Sequence, residues 1–109
     1  MSVYITHEIV GADYSSARKY GNLVYVTNKE IRADNNSQIV MEVEDTITNL
    51  QERFRYDRDH ILLSGSPLTM AMVVAKFSQD VPYIKVLRWD NRHNHYDEFQ
   101  VNITGDNNK

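Results

Sequence analysis

The chain contains no cysteine. That excludes disulfide bridges, thiolate metal ligands and cysteine nucleophiles. Only two prolines and four glycines interrupt 109 residues, too few for a collagen-like or low-complexity chain. Long apolar runs are missing too: the run at Ala71 to Ala75 is far short of the roughly 20 residues that cross a bilayer. Met1-Ser2-Val3-Tyr4 lacks the basic stretch and apolar run of a secretory signal, so none is expected. An excess of positive charge is also lacking. Lys and Arg total 12 against 15 Asp and Glu, a formal charge of −3, so nucleic acid is not the expected partner. These absences together lead to the expectation of a cytoplasmic protein with no membrane partner.

What remains is an ordinary folded composition, 41% hydrophobic and 25% charged. The length suits one domain, predicted over residues 1–103 with a polar tail at 104–109. Val3 to Ile9 is rich in β-branched residues and is predicted as the first strand. Asp13 is placed to cap a short helical turn over Tyr14–Tyr20, which Gly21 stops. Leu23 to Thr27 is a continuous apolar run, as expected of a strand covered on both faces. After a polar loop, Asn36 or Ser37 is expected to cap a long helix from Gln38 to Tyr56. Its apolar stripe is Val40, Val43, Ile47, Leu50 and Phe54. Glu42, Glu44 and Asp45 sit early in that helix and Arg53 and Arg55 late, an order that complements the helix dipole.

His60 to Ser64 is predicted as the third strand, ended by Gly65. Ser66 then reads as an N-cap and Pro67 as the first residue of a second helix running to about Gln79. Asp80-Val81-Pro82 breaks the chain before a fourth strand, Tyr83 to Trp89. A polar turn, Asp90 to His95, leads into Tyr96 to Ile103. There Phe99, Val101 and Ile103 alternate with Glu98, Gln100 and Asn102, the pattern of a half-exposed antiparallel edge strand. The fold class is therefore α/β: a small, mostly parallel five-stranded sheet with two main helices and an antiparallel C-terminal hairpin, Rossmann-like in build.

The second helix is apolar around nearly its whole circumference, from Leu68 through Phe77. Such a helix needs cover on every side. A second copy of the chain is the expected cover, which makes a homo-oligomer with Met70, Met72, Val73 and Phe77 at its interface.

Ligands of parallel sheets bind at the carboxyl ends of the strands. His7, Thr27, Ser64, Gly65, Ser66 and Asp90 occupy those ends and form the candidate ligand site. Ser64-Gly65-Ser66-Pro67 has the strand-to-helix form that holds an anion on backbone N–H groups. It lacks a Walker Lys and the further glycines of a dinucleotide fingerprint, and G-x-S-x-G is absent. His93 and His95 lie near Asp90, Asp97 and Glu98, but their place in a turn points to solvated side chains. No metal, cofactor or catalytic residue is therefore expected. Arg53-Phe54-Arg55-Tyr56 mixes cations with aromatics, and Glu52, Asp57 and Asp59 offset the charge.

Two stretches carry a resemblance. One is Asp13 to Thr27. The other is Asp59-His60-Ile61-Leu62-Leu63-Ser64-Gly65-Ser66-Pro67 followed by Leu87-Arg88-Trp89-Asp90 and Tyr96. Together they resemble small uncharacterised Rossmann-like proteins encoded by bacteriophages. The resemblance implies an accessory protein acting in the bacterial cytoplasm and brings no activity. The segment from Ile61 through Tyr96 is also similar to the closing part of nucleotide-sensing Rossmann-like domains. The expected function is non-enzymatic binding of a host or phage protein by a homo-oligomer. Two alternatives stand beside it: a nucleotide-binding protein or hydrolase using the Ser64-Gly65-Ser66 loop, and a structural virion component.

Overall fold

The computed structural model describes residues 1–33 and 36–104. Among them the element order is β1 (Ser2–Ile5), a 3-10 helix (Ser15–Tyr20), β2 (Asn22–Tyr25), α1 (Asn36–Gln51), β3 (His60–Leu62), α2 (Pro67–Phe77), β4 (Tyr83–Asp90) and β5 (His95–Asn102). The strands form one sheet in the order β2-β1-β3-β4-β5. The first four run parallel, and β5 returns antiparallel to β4. The expected α/β class, with its mostly parallel sheet and C-terminal hairpin, is what the chain forms.

The order explains the layers. Stepping from β1 to β2 moves one way across the sheet. Stepping from β2 over β1 to β3, and from β3 to β4, moves the other way. Crossovers of one hand that step in opposite directions must lie on opposite faces. Accordingly α1 and α2 cover one face, packing Val43, Ile47, Val73 and Phe77 on Tyr4, Ile61, Ile84 and Val86. The 3-10 helix and the residue before it lie on the other, setting Ala17 and Tyr14 on Val3, Ile5, Leu62 and Leu87 beside Tyr96. Strand periodicity sorts the residues: Val3 and Ile5 face the 3-10 helix, and Tyr4 between them faces the α-helices.

Several boundaries differ from expectation, each for a local reason. β1 ends at Ile5 rather than Ile9, because Thr6 and His7 turn their polar atoms to the loop after β3. The second strand is not covered on both faces. It lies at the sheet edge, with Asn22 and Tyr25 exposed. Asp13 does not extend a helix over Tyr14. Its carboxylate accepts the Ser15 N–H at 2.9 Å, and the helix that follows is 3-10. Ser37 lies inside α1 rather than before it, and the residue preceding Asn36 is outside the described residues.

α1 stops at Gln51, five residues short of Tyr56. The Phe54 N–H reaches back to the Leu50 and Gln51 carbonyls as the chain turns, and its ring drops into the core. Tyr4, Phe54 and Phe77 then form an aromatic triangle with centroid separations of 5.8, 5.2 and 4.7 Å. Arg53 and Arg55 consequently lie beyond the helix and do not serve its dipole. The buried stripe starts from Ile39 rather than Val40 and passes through Val43, Ile47 and Leu50. Asp59 fixes the exit from this turn. Its buried carboxylate accepts the Ser2 N–H at 2.9 Å and the Arg55 N–H at 2.8 Å, tying the start of β1 to the approach to β3.

α2 begins as expected, with Ser66 at the N-cap and Pro67 in the first turn, and it ends at Phe77 rather than Gln79. It is not buried on all sides. Thr69, Val73 and Phe77 form its inner face, Met70, Met72 and Val74 are half-buried, and Leu68, Ala71 and Ala75 are exposed. Val73 and Phe77 are therefore core residues of their own chain and offer nothing to a second copy.

The two sides of α2 have different energetic weight. Phe77→Ala is expected to remove about 3–5 kcal/mol, as for other buried aromatics. Leu68→Ala should cost about 1 kcal/mol or less, as at other exposed positions. Urea midpoints for the two variants check the contrast.

Candidate functional site

The carboxyl ends of β1 and β3 are where the chain connections diverge, one toward β2 and the other toward β4. A crevice is expected there in an order of this type. Its two sides are built differently.

On the α-helical side the crevice is a depression of about 420 Å³, with His7, Ser66, Ile31 and the acidic Glu8 and Glu30 in its lining and no Lys or Arg there. The Nδ1 atom of His7 accepts the Ser66 N–H at 3.0 Å. This bond requires an unprotonated Nδ1, which leaves the ring proton on Nε2. Gly65 sits at φ +82°, and a Cβ there would overlap the imidazole ring. The N-cap N–H of α2 is thus taken by a side chain of β1's own continuation, and Pro67 after it has no N–H to offer. Beside it, the Thr6 hydroxyl donates to the Ser64 carbonyl at 2.7 Å and accepts the Ser64 N–H at 2.9 Å. Ser64 is held from both sides by one threonine.

On the face of the 3-10 helix the crevice is open. A cleft of about 620 Å³ lies between the 3-10 helix and the β4–β5 hairpin, with Tyr14, Ser64, Trp89 and Tyr96 among its lining. That volume is in the range of small-ligand pockets. The Tyr14 hydroxyl accepts the Ile9 N–H at 2.8 Å and shares a hydrogen bond with the Ser64 hydroxyl at 2.8 Å. Trp89 meets Tyr96 edge-on at 4.9 Å, forming the opposite wall. Burial, aided by the neighbouring Tyr14, pushes the Tyr96 phenol above its ordinary range, so it stays a neutral hydroxyl at physiological pH. Asp13 is the one charged residue of the lining, and its bond to Ser15 holds its carboxyl below the usual carboxylate range. The cleft therefore offers aromatic walls, a pair of linked hydroxyls and a single negative charge.

The six residues expected to form a ligand site do not all meet. His7, Ser64, Gly65 and Ser66 come together, as a closed contact. The Thr27 carbonyl accepts the Glu8 N–H at 2.8 Å and its hydroxyl accepts the Lys29 N–H at 3.0 Å, and it lines a separate groove beside α1. Asp90 belongs to the hairpin end, in a depression shared with Arg88, Arg92 and His93. Its carboxylate accepts the Arg92 N–H at 2.9 Å and pairs with His93 at 2.8 Å. That pairing lowers the carboxyl and raises the imidazole. Of the open cleft, only Ser64 was among the expected site residues. Tyr14, Trp89 and Tyr96 were not, although a place at a strand end was a signal for Trp89 and Tyr96.

The family model of the phage Pam3 gp32-like protein matches residues 1–103. The chain belongs to that family. The match covers both stretches on which the likeness to small phage proteins was read, and every element of the sheet. No curated protein and no solved structure matches the chain.

The closed contact has a measurable cost when disturbed. Gly65→Ala adds a left-handed backbone strain of about 1–2 kcal/mol to the overlap with His7. Pairing it with His7→Ala should recover only the part of the overlap made by the ring, because the Cβ of position 7 stays. A double-mutant cycle by urea denaturation is expected to return a coupling of at least about 0.5 kcal/mol, the level seen for residues in contact.

Proposed function

We propose that this phage-family protein is a non-enzymatic binding protein of the bacterial cytoplasm, and that it seats an aromatic side chain of a host or phage protein in the cleft between the 3-10 helix and the hairpin. One observation carries this reading. The cleft beside the 3-10 helix has three aromatic walls and a lone acidic group, whereas the depression at the start of α2 carries Glu8 and Glu30, and His7 takes the Ser66 N–H there. Aromatic residues anchor protein interfaces best in pockets of this composition. A nucleotide would need a cation or free backbone N–H groups for its phosphates, and the cleft lining contains no Lys or Arg.

Self-association belongs to the same proposal, with outward residues of α2 in place of the buried Val73 and Phe77. The outward stripe of α2 is Leu68, Ala71 and Ala75, with Met72 at its border toward α1. Leu68 is 51% exposed, a large apolar side chain that a second copy would cover.

Photo-crosslinking in infected cells tests the partner. A photoreactive residue at position 89 is expected to capture a discrete protein, and one at Arg32 is not. A nucleotide panel tests the rival. Any nucleotide supplied at 100 times its Kd would stabilise the fold by about 2.7 kcal/mol, and such a shift would replace the binding-protein reading with a nucleotide-binding one. Recovery of the protein in purified virions would favour a structural role.

Light scattering tests the oligomer against a monomer mass of 12.7 kDa. The wild type is expected to exceed that mass and Leu68→Glu to match it while remaining folded. A monomeric wild type overturns the oligomer.

A further inference from the structure

The β4–β5 hairpin places three metal-ligating side chains at one point, away from the aromatic cleft. Asp90 and His95 are register partners at the end of the ladder. Asp97 follows His95 by two residues and so shares its face of the sheet. One donor atom from each of Asp90, His95 and Asp97 lies within 4.8 Å of the others. Trp89 and Tyr96 alternate with them and point to the opposite face, where they line the cleft.

We propose that Asp90, His95 and Asp97 form a binding site for a divalent transition cation of the zinc class. The donor set decides the class. Magnesium and calcium take oxygen ligands, whereas an imidazole beside carboxylates suits zinc and its neighbours. The two carboxylates carry the charge that offsets a divalent ion.

The surroundings are those of a supported site. The Arg92 N–H and the His93 imidazole both hold the Asp90 carboxylate, at 2.9 and 2.8 Å. Partners that orient a ligand in this way tune metal affinity. The His95 Nε2 atom lies 2.9 Å from an Asp97 oxygen. A cation would take the place of the proton shared there. The antiparallel ladder from Tyr83–Asn102 to Asp90–His95 fixes the spacing of the ligands. Arg88 is the competing cation. It reaches Asp97 at 3.5 Å, is 62% exposed, and rests over the Phe99 ring, so it can withdraw without unpacking the core.

The test is calorimetric titration of the full chain with ZnCl2 in a non-coordinating buffer, with MgCl2 as the comparison. One equivalent of Zn2+ is expected to bind, and His95→Ala and Asp97→Ala should each weaken it at least tenfold. Melting curves in EDTA establish that the variants are folded. Zn2+ should raise the melting temperature of the wild type and leave that of His95→Ala unchanged. No Zn2+ binding by the wild type, wild-type affinity in the His95→Ala/Asp97→Ala double variant, or equal binding of Mg2+ would each overturn the proposal.

Discussion

Five consecutive residues, Val3 to His7, are buried, and this double-sided burial of β1 is the constraint on which the other elements depend. A strand inside a parallel sheet must find apolar cover on both faces at once. The α-helices supply it for Tyr4, and the 3-10 helix supplies it for Val3 and Ile5. Two short turns of 3-10 helix therefore stand where a larger protein would have a full second layer. The shortage of cover on that face is also what leaves room for the cleft, which lies between Tyr14 and the hairpin aromatics.

The polar end of β1 decides how the crevice is used. Thr6 and His7 cannot continue as core, so their side chains are satisfied by the backbone of the loop after β3. Buried polar groups need such partners. The consequence is asymmetric. The Thr6 bonds order Ser64 for the open cleft, and the His7 bond takes the N-cap N–H of α2. Charge then separates the two sides, since the depression at the start of α2 carries Glu8 and Glu30, which repel phosphate, and the aromatic cleft attracts apolar and aromatic groups.

Much of the fold was legible in the sequence, and the reasons are local. Pro67 after Ser66 marks a helix start by its own stereochemistry, and the alternation of Phe99 and Val101 with Glu98 and Gln100 marks an exposed strand. α1 was read too long because Phe54 continues its apolar spacing, although that ring enters the core from a turn rather than a helix. The apolar character of α2 was read as all-round burial, but Ala71 and Ala75 are small enough to remain at the surface. The candidate site was far less legible. That His7 lies on Gly65 depends on β1 and β3 being neighbours, which no local pattern states. The meeting of Asp90 with His95 depends on a hairpin loop of Asn91 to Asn94, with Asn94 at φ 52° closing the turn.

Trp89 is the only tryptophan in the chain, and it stands in the wall of the cleft with 39% of its surface exposed. Its indole N–H donates to Asn91 at 2.7 Å, within the same hairpin. The tryptophan emission of the protein, excited beyond the absorption of its tyrosines, is therefore a local signal. It registers the water and the neighbours around one wall of one crevice, not the state of the α-helical layer on the far side of the sheet. A folding transition followed by that emission and one followed by helical circular dichroism sample different faces of the same molecule. Their coincidence or divergence measures how tightly the hairpin is coupled to the rest of the sheet.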